Sequence, residues 1–397
     1  MEAKVTNSPA PWPAFAEDER DAVNRVLTSG QVNYWTGDEG RGFEAEFAEA
    51  LGVEHAVFVA NGTLALELAL RSLNLPAGSE VITTPFTFIA TSSAIVAAGL
   101  RPVFADVDAD SGNIHPESIE SAVTGQTSAI LVVHLGGWPA DMAGIQELCR
   151  ARGFALVEDC AQAHGAKIAG QPVGTFSDIA AWSFCQDKII STGGEGGMVA
   201  TTNRELWNHV WSYKDHGKSW SAVYERQHPP GFRWLHESFG SNARGTEMQA
   251  AIGRIQYRKL ADWHDQRTRN AEFLAALLKA IPGLRVPLPP AALTHAYYRL
   301  YAYVDSSALA PGWTRDQIIA EVNSRSALPI TTGSSAEIYR EKAFVDAGLA
   351  PREPLPIAHR LGQESFAFLV HPGLTEADLQ GVADACGEVL ARAVATS

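Results

Sequence analysis

The sequence predicts an α/β fold: a large domain with a mostly parallel seven-stranded sheet flanked by helices, and a smaller C-terminal α/β domain. The chain has 397 residues, more than one hydrophobic core usually supports. Between about residues 50 and 200, short β-branched runs alternate with helical patterns, which is typical of parallel strands covered on both faces. The composition, 46% hydrophobic and 19% charged, is that of an ordinary globular protein.

The elements of the large domain follow from these patterns in chain order. A helix is predicted over residues 17–29, and a loop rich in glycine and aromatic residues over 30–42. Strands are predicted at residues 55–60, 80–84, 101–107, 128–134, 155–159, 179–184 and 197–201. Helices are predicted between them at residues 64–73, 91–99, 116–123 and 142–152. Such sheets bind ligands at the carboxyl ends of their strands, so the residues that follow each strand are the candidates for chemistry.

The C-terminal part begins with a long helix, predicted to start near Thr246 and to end before the proline-rich segment PGLRVPLPPAALTHAYY. A strand over residues 297–305 and helices over 314–323 and 376–393 follow. We therefore predict an N-terminal arm and large domain over residues 1–250, and a linking helix with a small domain over 251–397. The connection over about residues 213–244 is long and weakly patterned, which is typical of functional loops or of segments that reach a partner subunit.

Charge and cysteine content exclude several classes of function. The formal net charge is −14, from 31 basic and 45 acidic residues, which argues against nucleic acid or an anionic membrane as the main partner. The four cysteines form no CxxC pair and no metal-type spacing, so we expect free thiols in a reducing cytoplasm and no metal site. The N-terminus does not resemble a signal peptide, and Pro85 interrupts the uncharged stretch 81–100, so no membrane span is expected.

The string SFCQDKIISTGGEGGMV places Lys188 just past a predicted strand and before a glycine-rich segment at residues 193–197. A lysine in a partly desolvated cleft can form an imine with an aldehyde cofactor, and adjacent glycines let the backbone approach a ligand closely. The alternative is a surface lysine beside a tight turn. A dinucleotide loop is excluded, because GGEGG has no GxGxxG register and precedes a strand.

The string ALVEDCAQAHGA places Asp159 at the end of the preceding strand, one crossover before Lys188, so both side chains are expected at one edge of the sheet. A carboxylate there can keep a pyridinium nitrogen protonated, and the alternative is a cap of the following turn. Gln162 is a candidate donor to a cofactor phenolate, whereas His164 is interpreted as a packed or capping histidine.

An anion site is predicted where a strand gives way to a helix at residues 61–63, because the N–H groups of a first helical turn bind phosphate without a basic side chain. Ser183 can add a hydroxyl donor, and Phe88 can stack on a planar cofactor. The alternatives are an ordinary N-cap at 61–63 and a core position for Phe88. Asn242 and Arg244 precede the long helix, and helix capping is their alternative role.

Together these motifs resemble the DegT/StrS-type sugar aminotransferases, a family of fold-type I pyridoxal-phosphate (PLP) enzymes. The resemblance extends over nearly the whole chain, from TGDEGRGFEAEFAEALG through NGTLALELAL, PFTFIATSSAI, FADVD, HLGGWPADM, EDCAQAHGA and SFCQDKIISTGGEGGM to SNARGTEMQAAIGRIQ. It implies that Lys188 forms the Schiff base with PLP and that Asp159 pairs with the pyridine nitrogen. The other implied cofactor contacts are Gln162 at the phenolate, Phe88 in the stacking position, Gly62, Thr63 and Ser183 at the phosphate, and Asn242 at the phosphate of the neighbouring subunit.

The same resemblance implies a homodimer with shared active sites that moves an amino group from L-glutamate to a nucleotide-linked ketosugar, in aminosugar biosynthesis. The family also contains dehydratases with histidine at the position of Lys188, so the lysine favours amino transfer. The segment TTGSSAEIYREKAF differs from many sugar-specific members. Three alternatives stay open: an enzyme like 3-amino-5-hydroxybenzoate synthase, a PLP-binding regulator without turnover, and a structural protein without PLP.

Overall fold

The computed structural model of the chain describes residues 9–394. Up to residue 250, its strands are β1 (His55–Val59), β2 (Glu80–Thr83), β3 (Arg101–Phe104), β4 (Thr127–Val133), β5 (Ala155–Asp159), β6 (Lys167–Ile168), β7 (Gln171–Pro172), β8 (Ile179–Ser183) and β9 (Gly197–Thr201). The helices before the long helix are α1 (Glu17–Ser29), α2 (Glu39–Leu51), α3 (Gly62–Ser72), α4 (Ala90–Ala97), α5 (Pro116–Ala122), α6 (Met142–Arg152), α7 (Arg204–Lys214) and α8 (Trp220–Tyr224).

A seven-stranded sheet in the order β1-β9-β8-β5-β4-β2-β3 forms the centre of this part of the fold. Only β9 runs against its neighbours, so the predicted mostly parallel seven-stranded sheet is confirmed. Helices α3 and α7 pack on one face of the sheet, where they bury Leu66 and Trp211. Helix α2 and the start of the long helix cover the other face with Phe43 and Ala250. The sheet is thus buried on both sides, as its apolar strands require.

The predicted loop over residues 30–42 is wrong at its end, because α2 already begins at Glu39. The start of this helix is fixed from a distance: the Glu247 carboxylate accepts the N–H of Glu39 at 2.6 Å and of Gly40 at 3.0 Å. A first helical turn leaves such N–H groups without intrahelical partners. Gly40 is needed for close packing, since a Cβ there would lie 2.7 Å from the Tyr34 ring.

The C-terminal part contains β10 (Leu284–Arg285), β11 (Leu293–Thr294), β12 (Leu300–Val304), β13 (Ile330–Thr331) and β14 (Ser365–Phe368). Its helices are α9 (Glu247–Lys279), α10 (Arg315–Asn323), α11 (Lys342–Asp346), α12 (Pro356–Glu364) and α13 (Glu376–Ala393). Strands β10, β12, β14 and β13 form an antiparallel sheet in that order. A separate hydrophobic core lies between this sheet and its helices. It includes Leu274 of α9, Phe366 of β14 and Val389 of α13.

Helix α9 links the two cores, since Ala250 packs with the large sheet and Leu274 with the small one. The predicted division at residue 250 lies within the first turn of this helix and stays a prediction. No helix of residues 9–394 has the length and apolar character needed to cross a bilayer.

Candidate active site

Asp159 and Lys188 lie at the same edge of the large sheet. Strands β5 and β8 are adjacent and parallel, and Asp159, the last residue of β5, is in register with Ala181 of β8. Lys188 lies in the loop that leaves the carboxyl end of β8. Because β4 is also parallel to β5, with Val133 opposite Asp159, three neighbouring strands end at the same edge of the sheet.

The Asp159 carboxylate is buried and oriented by two donors. One of its oxygens accepts the Thr91 hydroxyl at 2.9 Å and the other accepts the N–H of Ala161 at 3.1 Å; the residue is 4% exposed. Burial raises the pKa of Asp159, although these two hydrogen bonds and the charge of Lys188 oppose the rise. A buried carboxylate of this kind is stabilised when a cation lies against it, so Asp159 is suited to a protonated ring nitrogen.

The Lys188 amine faces a tyrosine and an aspartate. Its Nζ lies 3.5 Å from the Tyr298 hydroxyl and 3.6 Å from Oδ1 of Asp187, and its side chain is 14% exposed. Burial by itself lowers the pKa of Lys188, but Tyr298 and Asp187 outweigh that effect and the pKa is raised overall. Without a cofactor the group is therefore an ammonium at neutral pH.

Asp187 and Tyr298 are two residues near the Lys188 amine that the sequence did not indicate. Asp187 precedes Lys188 directly, but its position within CQD gave no sign of a role. Tyr298 lies 110 residues further along the chain, so no local pattern connects it with Lys188. Only the fold of the small sheet, which carries the turn before β12 back to the large sheet, brings the two together.

The N-terminal arm braces the loop that carries Lys188. The Trp12 indole N–H donates to the Lys188 carbonyl oxygen at 2.8 Å. Trp12 stacks on His371 with ring centroids 5.6 Å apart, and the buried Arg267 guanidinium lies 4.9 Å above the Trp12 ring. The backbone at Lys188 is thus held by the N-terminal arm, which itself packs on Arg267 of α9 and on His371.

The start of α3 forms a cradle for an anion against β8. Asn61 caps the helix by accepting the N–H of Leu64 at 2.9 Å. The N–H groups of Gly62 and Thr63 belong to the same first turn and have no intrahelical acceptor. Gly62 packs so closely on Ser183 that an added Cβ would lie 2.5 Å from the serine Cβ. The start of α3 therefore places backbone donors and the positive end of the helix dipole next to the Ser183 hydroxyl. This combination suits a phosphate.

Phe88 supplies an exposed ring on the segment that leads to Thr91. Its side chain is 65% exposed, unlike a core phenylalanine. Its carbonyl oxygen accepts the N–H of Thr91 at 3.2 Å, and the Thr91 hydroxyl donates to Asp159. An exposed aromatic ring on this segment is suited to stacking on a planar heterocycle.

The remaining candidate cofactor residues occupy different settings. Gln162 is buried, and its carbonyl oxygen accepts the N–H of Gly136 at 2.7 Å, while its amide nitrogen lies 3.5 Å from the Ser334 hydroxyl. Asn242 is exposed on a segment whose next residue, Ala243, accepts the N–H of Ala60 at 2.9 Å. Asn242 thus lies beside the end of β1, at the surface of its own chain.

One group of potential metal ligands occurs among residues 9–394, formed by His134, Glu158 and Cys160. The carboxylate and both ring nitrogens of this group already have hydrogen-bond partners. The Glu158 carboxylate accepts N–H groups of Gly174 at 2.8 Å and Phe176 at 3.0 Å and lies 3.1 Å from the His134 ring, whose other nitrogen accepts a backbone N–H at 3.0 Å. Glu158 and His134 therefore hold loops around the end of β5.

The donor set fits PLP. The edge of the sheet offers an amine for the aldehyde, a buried carboxylate for the ring nitrogen, an exposed aromatic ring for the face of the heterocycle, and a helix N-terminus with a hydroxyl for the phosphate. The close approach of Gly62 to Ser183 keeps the anion cradle free of side-chain carbon. These four features follow the carboxyl ends of four strands of the large sheet, β1, β2, β5 and β8.

Comparison with known proteins agrees with this chemistry. Residues 13–386 match the DegT/DnrJ/EryC1/StrS aminotransferase family. The chain is 36% identical to a UDP-N-acetyl-3-dehydro-α-D-glucosamine 3-aminotransferase of Acidithiobacillus ferrooxidans, over 91% of this chain and 90% of that protein. It is 35% identical to a dTDP-3-amino-3,4,6-trideoxy-α-D-glucose transaminase of Streptomyces venezuelae, over 92% and 90%. The solved structure of an aminotransferase from Psychrobacter cryohalolentis has 51% identity and a TM-score of 0.94, covering 97% of this chain and 99% of that one.

Proposed function

The chain belongs to the DegT/DnrJ/EryC1/StrS family of PLP-dependent aminotransferases, and we propose that it moves an amino group from L-glutamate to the keto group of a nucleotide-linked sugar in aminosugar biosynthesis. The observation that supports this most strongly is that Lys188 and Asp159 follow adjacent parallel strands at the same carboxyl edge of the large sheet. Relatives named for UDP- and dTDP-linked sugars support the acceptor class. The donor is proposed from the family resemblance.

Each predicted site residue has a proposed part in this reaction. When bound, PLP supplies an electron sink that allows the Cα–H bond of an amino donor to break. Lys188 would hold the cofactor aldehyde, and its free amine would carry the proton of the donor Cα as general base and acid. Asp159 keeps its negative charge against the ring nitrogen. The other proposed contacts are Gln162 at the phenolate, Phe88 on the ring face, and Gly62, Thr63 and Ser183 at the phosphate.

The geometry supports these roles through orientation. Thr91 and the Ala161 N–H occupy both oxygens of Asp159, so the carboxylate has a fixed direction. Trp12 holds the Lys188 carbonyl, so the lysine side chain starts from a fixed backbone. A reacting group that is held in place reduces the entropy lost when the reaction geometry forms.

We also propose a homodimer in which Asn242 reaches the phosphate in the neighbouring subunit. The segment before Asn242 exposes three large rings: Phe232 is 78%, Trp234 81% and Phe239 98% exposed. Exposed apolar patches of this kind mark protein contacts. The long connection that the sequence indicated therefore has the surface of a partner-binding segment. The four cysteines are free thiols, which supports a cytoplasmic location.

The dimer is tested by light scattering after size exclusion. We expect the wild-type mass to be twice that of the chain, and a Trp234→Ser, Phe239→Ser double variant to shift toward the monomer. Val345→Ser, at a residue 54% exposed and distant in sequence, is the matched control and should leave the mass unchanged. A monomeric wild-type protein would contradict the proposal.

The reaction is tested in two stages with the PLP-loaded protein. In the first stage, addition of L-glutamate should abolish the absorbance at about 400 nm. In the second stage, a nucleotide ketosugar should restore that absorbance and yield an aminosugar detectable by mass spectrometry. Conversion of an aminodehydroquinate-type ketone in place of every nucleotide ketosugar would instead indicate an enzyme like 3-amino-5-hydroxybenzoate synthase. A spectrum unchanged by glutamate would indicate a regulator, and a protein that remains colourless with PLP would contradict the cofactor.

A further inference from the structure

The hydroxyl of Tyr298 lies against the amine of Lys188, and none of the roles described above uses it. The hydroxyl is 3.5 Å from Nζ, and Nζ is 4.8 Å from the centre of the Tyr298 ring. Tyr298 is 6% exposed, so its hydroxyl meets protein groups and the cleft in preference to bulk water. A phenol both donates and accepts a proton, and its position beside a reacting amine is that of an acid–base group.

The backbone around Tyr298 is held in an unusual conformation that aims this hydroxyl. Tyr297 has φ +48°, a left-handed conformation that is uncommon for a bulky residue. Three contacts hold it there: Arg267 donates to its carbonyl at 3.2 Å, its N–H donates to the His295 ring at 2.7 Å, and the His295 and Tyr297 rings stack 4.1 Å apart. Strain that the surroundings maintain in this way is characteristic of functional sites.

Asp187 connects the amine and the hydroxyl with solvent. Its Oδ1 lies 3.6 Å from Lys188 Nζ, while its Oδ2 accepts the hydroxyl proton of Tyr298. The Asp187 side chain is 51% exposed, in contrast to the 14% of Lys188. Arg299 lies 3.8 Å from the same Oδ2 and 4.3 Å from the centre of the Tyr298 ring, and keeps the carboxylate in place. The three groups thus form a path from a sheltered amine to water.

We propose that Tyr298 is a further catalytic residue that exchanges a proton with the Lys188 amine, and that Asp187 is the positioning residue that orients the Tyr298 hydroxyl and passes the proton to water. This inference rests on the proposed function. In one direction, the Lys188 ammonium gives a proton to the Tyr298 oxygen while the phenolic proton moves to the Asp187 carboxylate, which releases it to water. The lysine becomes a neutral amine, the tyrosine is unchanged, and the reverse sequence restores the ammonium.

A purely structural role is the alternative, because Tyr298 also belongs to the apolar core beside β8. The two roles differ in what they do to the protonation of Lys188. Tyr298 and Asp187 both raise the pKa of Lys188 against the effect of burial. The ionisable groups that face Lys188 from the packed elements are Asp159, His164, Cys185, Asp187, Tyr298 and Tyr301. Removal of the Asp187 charge or the Tyr298 hydroxyl alone leaves the other groups in place.

The test compares Tyr298→Phe and Asp187→Asn with the wild-type holoenzyme. Phenylalanine keeps the ring that Arg299 covers, and Asp187 is exposed enough for asparagine to be accommodated without refolding. Tyr303→Phe is the matched control, because Tyr303 is a buried tyrosine of the same strand region whose hydroxyl has no partner within residues 9–394. Two quantities are measured. The first is the rate constant of the spectral change on adding L-glutamate, and the second is the midpoint pH at which the absorbance band at about 400 nm changes.

We expect Tyr298→Phe to slow the glutamate reaction about 100-fold, the lower end of general acid–base effects. We expect both Tyr298→Phe and Asp187→Asn to move the spectral titration to lower pH, and Tyr303→Phe to change neither quantity. A Tyr298→Phe variant with the wild-type rate and titration overturns the proposal, as does an Asp187→Asn variant whose titration is unshifted. If the wild-type protein itself does not respond to glutamate, the proposed function fails, and this inference fails with it.

Discussion

The contact between Gly62 and Ser183 makes the proposed phosphate cradle sensitive to a single methyl group. In a Gly62→Ala variant the new Cβ would lie 2.5 Å from the serine Cβ, 2.9 Å from its Oγ and 3.0 Å from its Cα. Carbon atoms in ordinary contact are about 3.5–4.0 Å apart, so the start of α3 must move about 1 Å from β8. Ser183 cannot yield easily, because it is the last residue of β8 and is paired with Gly197 of β9.

Two effects of this displacement follow. Overpacking of this kind costs about 1–3 kcal/mol of folding free energy. Hydrogen bonds to a charged phosphate contribute about 1.5–3 kcal/mol each, so losing one raises the Kd for PLP by roughly 10- to 100-fold. We therefore expect Gly62→Ala to lower the unfolding midpoint of the cofactor-free protein and to weaken PLP binding.

PLP titration followed by absorbance, together with thermal unfolding, measures both effects. Gly125→Ala is the matched control, since a Cβ there meets no atom within 4 Å. It should leave the Kd unchanged and change stability by at most about 1 kcal/mol, through the entropy of the unfolded chain. A Gly62→Ala variant that binds PLP within twofold of the wild type would refute the cradle.

Two further predictions concern buried ionisable groups at the same sheet edge. Asp159→Asn keeps the shape and the acceptor for Thr91 but removes the charge. Since a close opposite charge shifts a pKa by about 1–3 units, the turnover rate should fall roughly 10- to 1,000-fold with the fold intact. An unchanged rate would contradict the role of Asp159. Burial and the nearby charges of Lys188 and Arg267 lower the pKa of His164 to about 3. The unfolded chain, with a histidine pKa of about 6.5, therefore takes up the proton first, and this contribution to stability is complete above that pH and is lost as the pH falls toward 3. His164→Phe should reduce the loss of unfolding free energy between pH 6.5 and 4 by about 3 kcal/mol, and an equally steep loss in the variant, measured by denaturant titration, would contradict it.

The sequence predicts the large sheet well because each strand carries its own signal. The apolar runs at residues 155–159 and 197–201 are almost entirely buried strands whose bounds match the prediction. The crossover between β5 and β8 places Asp159 and Lys188 at one edge. The first turn of α3 behaves in the same way, because its Asn61 cap is local.

What the sequence does not reveal depends on contacts between distant residues. The start of α2 is fixed by Glu247, more than 200 residues later, so the glycines near it are typical of a loop when read locally. The two-residue strands β10 and β13 are too short to show a period. Tyr298 reaches Lys188 from the turn before β12, where Arg267 of α9 holds the Tyr297 carbonyl.

The identity of the lysine that binds PLP is the point on which all of these roles depend. Borohydride reduction of the holoenzyme, followed by proteolysis and mass spectrometry, reports directly which lysine carries the cofactor. We expect the phosphopyridoxyl mass on the peptide that contains Lys188. We expect Lys188→Ala to lose both that modified peptide and the absorbance band at about 400 nm. The label on another lysine, or an unchanged band in Lys188→Ala, would contradict the account.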